Sequence, residues 1–337
     1  MSIIRLKPSV LILLGMILAL SACEINKLRS AEDHYENKRY AAAIEELDSY
    51  IEKGMNGALV TRSEILRAQC YYELGLMALQ RENWDLSIRF LKLSNSKEAD
   101  EALGSVYKTL AGKAQKEGDL QLSLEHVNSI IREIPTSPLI PEMLERRIGF
   151  RLDTFIDHNA AWQDYMYLYD TYPNNVYELA ARKQIMRIVP DKVDYARRLY
   201  TTGYYTEGLR ILFELGKYPV VDNQTNNQMI SEAYINQAEA YLEGENYLEA
   251  DRFFRIAVQY DPSKEDEINR RLEQVASLFI RRGNELAAQR DFENALLHYQ
   301  KTYDIIPDYS AANQAIARLE TLRANIFRAQ EIHAQAQ

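Results

Sequence analysis

Five histidines and two cysteines are the side chains of this 337-residue chain best suited to nucleophilic or metal chemistry, and their spacing argues against both. His34, His126, His158, His298 and His333 are scattered, and none stands in an H-E-x-x-H or in a His/Cys cluster of metal-ligand spacing. No G-x-G-x-x-G, G-x-x-x-x-G-K-[ST] or G-x-S-x-G occurs. Cys70, two residues before Tyr72, is expected to be a small buried hydrophobe. Acid pairs such as Glu45 and Glu46 are expected to form solvated helix faces. The chain therefore reads as non-enzymatic, with no metal site, no cofactor and no small-molecule substrate.

Cys23 is different. Arg5 and Lys7 precede an apolar run from Val10 to Leu20, which is far shorter than the ~20 residues a membrane-spanning helix needs. A basic start, a short apolar middle and small residues at the end predict a secretory leader over residues 1–22, to be excluded from the fold. Leu20-Ser21-Ala22-Cys23 resembles the lipobox of bacterial lipoproteins. That resemblance implies cleavage before Cys23, diacylglycerol on its thiol and an acylated new amino terminus. One fatty chain binds a bilayer only marginally, at about 10⁴ M⁻¹, whereas two or more anchor stably. In the enterobacterial version of that family an aspartate after the cysteine favours the inner membrane. Glu24 stands there instead, which points to the outer membrane, facing the periplasm. With Cys23 acylated, Cys70 has no disulfide partner.

At 47% hydrophobic and 26% charged, the chain is apolar enough for a large folded body. Its formal charge is −9, and loss of the leader removes two cations and no acid. Such a balance argues against nucleic acid, which rewards clustered Lys and Arg.

One register recurs along the chain: a small residue, a bulky one nine later, a small one at twelve, a bulky one at sixteen, and often a proline at twenty-four. It reads Gly283, Phe292, Ala295, Tyr299, Pro307, and before that Ala238, Tyr247, Ala250, Phe254, Pro262. Earlier units start at Ala31, Gly75, Ala111, Gly149 and Ala196. Each predicts two amphipathic helices joined by a turn, as in "QRENW", "KEGDL", "EGENY" and "AQRDF". The small residues should lie where the two helices cross, giving Gly75, Gly149 and Gly283 a packing reason. Proline then ends the second helix.

This pattern resembles the tetratricopeptide repeat. The resemblance implies an all-α, right-handed superhelical solenoid of about seven repeats over 23–309 (24–57, 68–101, 104–137, 142–175, 189–222, 231–264 and 276–309), with 310–337 as a capping helix. The starts are spaced more widely than the ~34 residues of a tight array, so longer helices or extra turns must intervene. Residues 177–188 predict an additional helix before Pro190, and "IPTSPLIPE" and "PVVDNQTNNQM" predict bends.

In this family the first helices line a groove. Projected onto this chain, its side chains are Tyr72, Leu76, Leu79, Lys108, Arg146 and Phe150, with Ile25, Leu28 and Tyr35 in the first unit. Such a groove is aromatic and aliphatic with a few cations, suited to segments of envelope proteins with apolar anchors. Gly112 replaces the asparagine that the carboxylate-clamp version pairs with a lysine such as Lys108, so chaperone tails are not expected. Most tyrosines fall in repeat slots, but the run Tyr165, Tyr167, Tyr169, Tyr172 and Tyr177 is dense enough to leave some rings exposed for a partner. The lipobox, "HYENKRYAAAIEELDSYI" and "YDTYPNNVYELAARKQ" together resemble the BamD-like lipoproteins of outer-membrane β-barrel assembly. That family commonly carries about five repeats, which leaves adaptors for cell-wall synthesis, secretion or pilus assembly as alternatives, with a cell-wall-binding or cell-wall-degrading superhelix behind them.

Overall fold

The computed structural model describes residues 26–52 and 57–335; the leader, Cys23 and Ile25 lie outside the described residues. The described chain divides into two compact units, with the boundary after Gln184. In the first, four helical hairpins follow one another: α1 (26–36) with α2 (Tyr40–Ile51), α3 (Gly57–Gln80) with α4 (Trp84–Ser94), α5 (Lys97–Glu117) with α6 (Leu120–Glu133), and α7 (Ile140–Asp153) with α8 (His158–Thr171). Helix α9 (Val176–Ile185) closes this unit, its last residue opening the second. The second unit pairs α10 (Val189–Thr201) with α11 (Tyr205–Gly216), α12 (Asn223–Glu243) with α13 (Tyr247–Tyr260), and α14 (Glu265–Ala288) with α15 (Phe292–Lys301). Helix α16 (Ser310–Gln335) ends it.

The hairpins share one turn. The first helix ends in a residue with positive φ: Lys38, Glu82, Gly118, Ile156, Gly203, Glu245 and Arg290. That left-handed step lets the next N–H return to the helix just ended, as from Asn83 to the Ala78 carbonyl at 3.0 Å and from Asp119 to Ala114 at 2.9 Å. In five of these seven turns the same next residue then caps the second helix; Arg39 and Tyr204 make no such side-chain bond. Asn83, Asp119, Asp157, Asn246 and Asp291 each accept a hydrogen bond from the backbone N–H three residues on. One Asx residue thus satisfies an orphan donor of the new helix while its own N–H closes the old one.

Packing at the crossings follows from size. A Cβ on Gly75 would lie 2.7 Å from Leu91 Cδ2, and one on Gly283 would overlap the Tyr299 ring. The facing small residues Ala43, Ser87, Ser123, Ala161, Ala250 and Ala295 are wholly buried. At two crossings a serine adds a tie, Ser87 donating to the Gly75 carbonyl at 2.9 Å and Ser123 to that of Ala111 at 2.8 Å. Gly149 departs from this expectation. It is half-buried, and a Cβ there would meet only the flexible Gln184 carboxamide at 3.2 Å. Its neighbour Ile148 is the fully buried residue of that turn.

The wide repeat spacing has its source in α3, α12 and α14, which run 24, 21 and 24 residues and begin well ahead of 68, 231 and 276. The expected bend at 219–229 is half helix. Asp222 caps α12 by accepting the Thr225 N–H at 2.8 Å, so the polar run "NQTNNQM" forms its first turns. Helix α16 is two things: Ala315 and Leu319 pack with Ala295 and Tyr299, whereas from Glu320 to His333 every side chain but half-buried Ile326 is exposed.

Candidate partner-binding face

Within the first unit, the first helices carry the six residues expected to line a groove. Tyr72, Leu76 and Leu79 on α3 are half-buried, each leaving part of its side chain accessible. Phe150 does not: it is 6% exposed and belongs to the core, as does Leu28 at 4%. The family resemblance projects both onto the face, but each packs among neighbouring helices instead. Lys108 and Arg146 are engaged within the unit. The Lys108 ammonium lies 2.7 Å from the Glu142 carboxylate, and Arg146 donates to the Gln115 side-chain oxygen while lying 5.8 Å from the Phe150 ring centroid. Tyr177 also donates to Glu142, at 3.4 Å, and Gln184 donates to Glu145, whose carboxyl burial pushes above its ordinary range. From α5 to α9 the face is therefore a polar ladder joining successive first helices, not the aromatic surface expected.

The apolar surface lies nearer the amino terminus. A cleft of about 810 Å³ runs along α3 beside the α4–α5 junction. Tyr35 and Tyr72 line it half-buried, while Ile65 and Leu93 stand at 55% and 50% exposure. Glu64, Glu73 and Glu98 also line it. Its one lining cation, Arg67, is bound to Asp48 at 2.8 Å. Tyr35 and Tyr72 were legible in the sequence. Ile65 was missed because it precedes the repeat register, on the extension that lengthens α3, and Leu93 because it sits on a second helix. An isoleucine left over by the register was the signal available.

The tyrosine-dense segment is mainly core. Tyr165 is wholly buried, Tyr169, Tyr172 and Tyr177 are half-buried, and Tyr167 alone is exposed, at 51%. Buried charges hold this region, which the reading of acids as solvated faces did not foresee. Asp164, 5% exposed, lies 2.6 Å from both the Arg147 and the Arg151 guanidinium. Glu178, fully buried, takes Arg182 at 2.8 Å and the Tyr165 hydroxyl at 3.3 Å. Burial, and then the Glu178 charge, raises the Tyr165 phenol well above its ordinary value. Glu46 likewise is half-buried and accepts from Ser30 at 3.0 Å.

The reactive side chains sit apart from one another. Cys70 is buried in the α1–α3 core, and burial pushes its thiol up to about 11, so it is scarcely a nucleophile at neutral pH. His126 packs beside the Tyr107 ring, and burial lowers its pKa. His298 packs beside Phe279, and His34 lies 3.5 Å from Glu46. Half-buried His158 begins α8, and His333 is on the exposed part of α16. Among the described residues no three His, Cys, Asp or Glu side chains are placed to hold a metal ion, and no helix is long and apolar enough to cross a membrane.

Consecutive hairpins, each with tight crossings and a left-handed turn, define an all-α helical repeat fold of the tetratricopeptide type. No protein-family model and no curated protein matches the chain. Solved structures that share features with it include the TPR domain of P58(IPK), at 13% identity over 90% of this chain and 79% of that one, with a TM-score of 0.29. A tetratricopeptide repeat protein from Parabacteroides merdae is 16% identical over 88% of this chain and 98% of its own, with a TM-score of 0.23. The C-terminal part of a TPR repeat-containing protein from Cytophaga hutchinsonii is 15% identical over 86% and 99%, with a TM-score of 0.22.

Proposed function

We propose that this chain is a non-enzymatic adaptor, lipid-tethered through Cys23 to the periplasmic leaflet of a bacterial outer membrane, that holds envelope proteins on its first-helix face. The observation that carries the adaptor reading is the cleft of the first unit, where Ile65 and Leu93 stay exposed beside two tyrosines on a rigid hairpin frame. Aromatic and aliphatic anchors around a preformed cleft are what a partner segment needs to bind without ordering the receptor. The tether rests on the lipobox residues, and barrel assembly on the sequence resemblance.

Seven hairpins among the described residues, against about five repeats in the BamD-like proteins, favour a second reading: an adaptor for another envelope machine. Cross-linking in cells followed by mass spectrometry separates the two. Capture of barrel-assembly components supports the first, and a partner set drawn wholly from cell-wall, secretion or pilus machinery replaces it with the second. Labelled palmitate should enter the wild-type protein and not Cys23→Ser; equal labelling of both removes the tether from the proposal.

A further inference from the structure

The adaptor reading leaves open what kind of segment is held, and the cleft itself carries that information. We infer that it takes a partner segment in which aliphatic side chains alternate with lysine or arginine; this rests on the reading above and deepens it. Two facts point there together. Exposed Ile65 and Leu93, with the faces of Tyr35 and Tyr72, offer apolar contact that water covers poorly. Around them stand Glu64, Glu73 and Glu98, none of which has an ion-pair partner among the described residues, while Arg67 is already spent on Asp48. The cleft thus presents a net negative field to whatever enters. The Tyr35 phenol senses it: burial first, and then the Glu73 carboxylate, raises its pKa.

An acidic or neutral aliphatic segment would satisfy the apolar contacts and leave the field unopposed, and a purely cationic one would do the reverse. Only a segment with both answers each feature, and its charges would steer encounter as well as select the partner. The spread of the carboxylates, from Glu64 and Glu73 along α3 to Glu98 on α5, suits a chain of several residues and not a single cation.

The test uses the mature full-length protein and three fluorescein-labelled dodecapeptides: alternating leucine and lysine, alternating leucine and glutamate, and alternating serine and lysine. The leucine–lysine peptide should bind at least about tenfold more tightly than either of the others, with an affinity that falls as salt rises. Combined Glu64→Gln, Glu73→Gln and Glu98→Gln should lose that preference, as should Ile65→Ser with Leu93→Ser. Removing as many exposed acids elsewhere, by Glu293→Gln, Glu320→Gln and Glu331→Gln, should leave it intact. Circular dichroism of each variant confirms that its helices persist. Equal loss from the control triple variant, equal binding of the leucine–glutamate peptide, or no binding of any peptide overturns the inference. If cross-linking still captures envelope partners while the leucine–lysine peptide fails, the adaptor stands and this specificity falls. Self-association that the cleft variants abolish would replace the partner segment with a second copy of the chain.

Discussion

At the scale of single residues, burial decides which charges matter. Asp164 serves two guanidiniums that are 16% and 23% exposed, so Asp164→Asn leaves cations with little water and no counter-charge. Urea denaturation should show a loss of about 3–5 kcal/mol. The pair of Arg255 and Asp251 lies nearly as close, at 2.7 Å, yet Asp251→Asn should cost under about 1 kcal/mol because the Arg255 guanidinium, 65% exposed, stays hydrated without it. Cys70 gives a second measurement. In a Cys23→Ser background it is the remaining thiol, and with its pKa raised to about 11 the thiolate forms only as pH climbs well above neutral. Native protein at pH 8 should react with iodoacetamide on the order of a hundredfold more slowly than urea-unfolded protein, and the native rate should rise steeply towards pH 11. Comparable rates at pH 8 would show that the α1–α3 core is open.

At the scale of elements, the hairpin turn is the unit that repeats, and of its five non-glycine left-handed residues Ile156 is the β-branched one, where the strain is greatest. Ile156 adopts φ 52°, a conformation that costs a residue with a Cβ about 1–2 kcal/mol, and more when it is β-branched. Its side chain is 65% exposed and contributes little packing in return. Ile156→Gly should therefore stabilise the protein by about 1 kcal/mol in the urea midpoint, while Gly118→Ala, at φ 85° in the corresponding turn, should destabilise it by a similar amount. Helix α16 yields a contrast of the same kind. Deleting residues 321–337 removes only one half-buried side chain among those described, so stability should change by less than about 0.5 kcal/mol. Deleting 310–337 also strips Ala315 and Leu319 from Ala295 and Tyr299 and removes buried Ala312, and should cost at least about 2 kcal/mol.

At the scale of the whole molecule, charge sets the classes of partner. With 49 acids against 40 Lys and Arg, the net charge of −9 repels polyanions, so the protein should fail to shift duplex DNA or bind a heparin column even at ~50 mM salt, where such contacts are strongest. Retention there would expose a basic patch that the net balance conceals.

The sequence by itself determined the helix pairs, because small residues, bulky residues and Asx turns recur at fixed offsets and each acts over one or two turns of chain. It also placed Cys70 in a core. What it could not determine is which of two chemically similar side chains finds a neighbour at long range. Only tertiary packing took Phe150 into the core, tied Lys108 to Glu142 across 34 residues, and buried Asp164 and Glu178 among arginines. Only it brought Ile65 and Leu93, from a helix extension and a second helix, to one cleft with Tyr35 and Tyr72. Periodicity reports the face a residue occupies on its own helix; whether that face meets water, a partner charge or another helix depends on residues far along the chain.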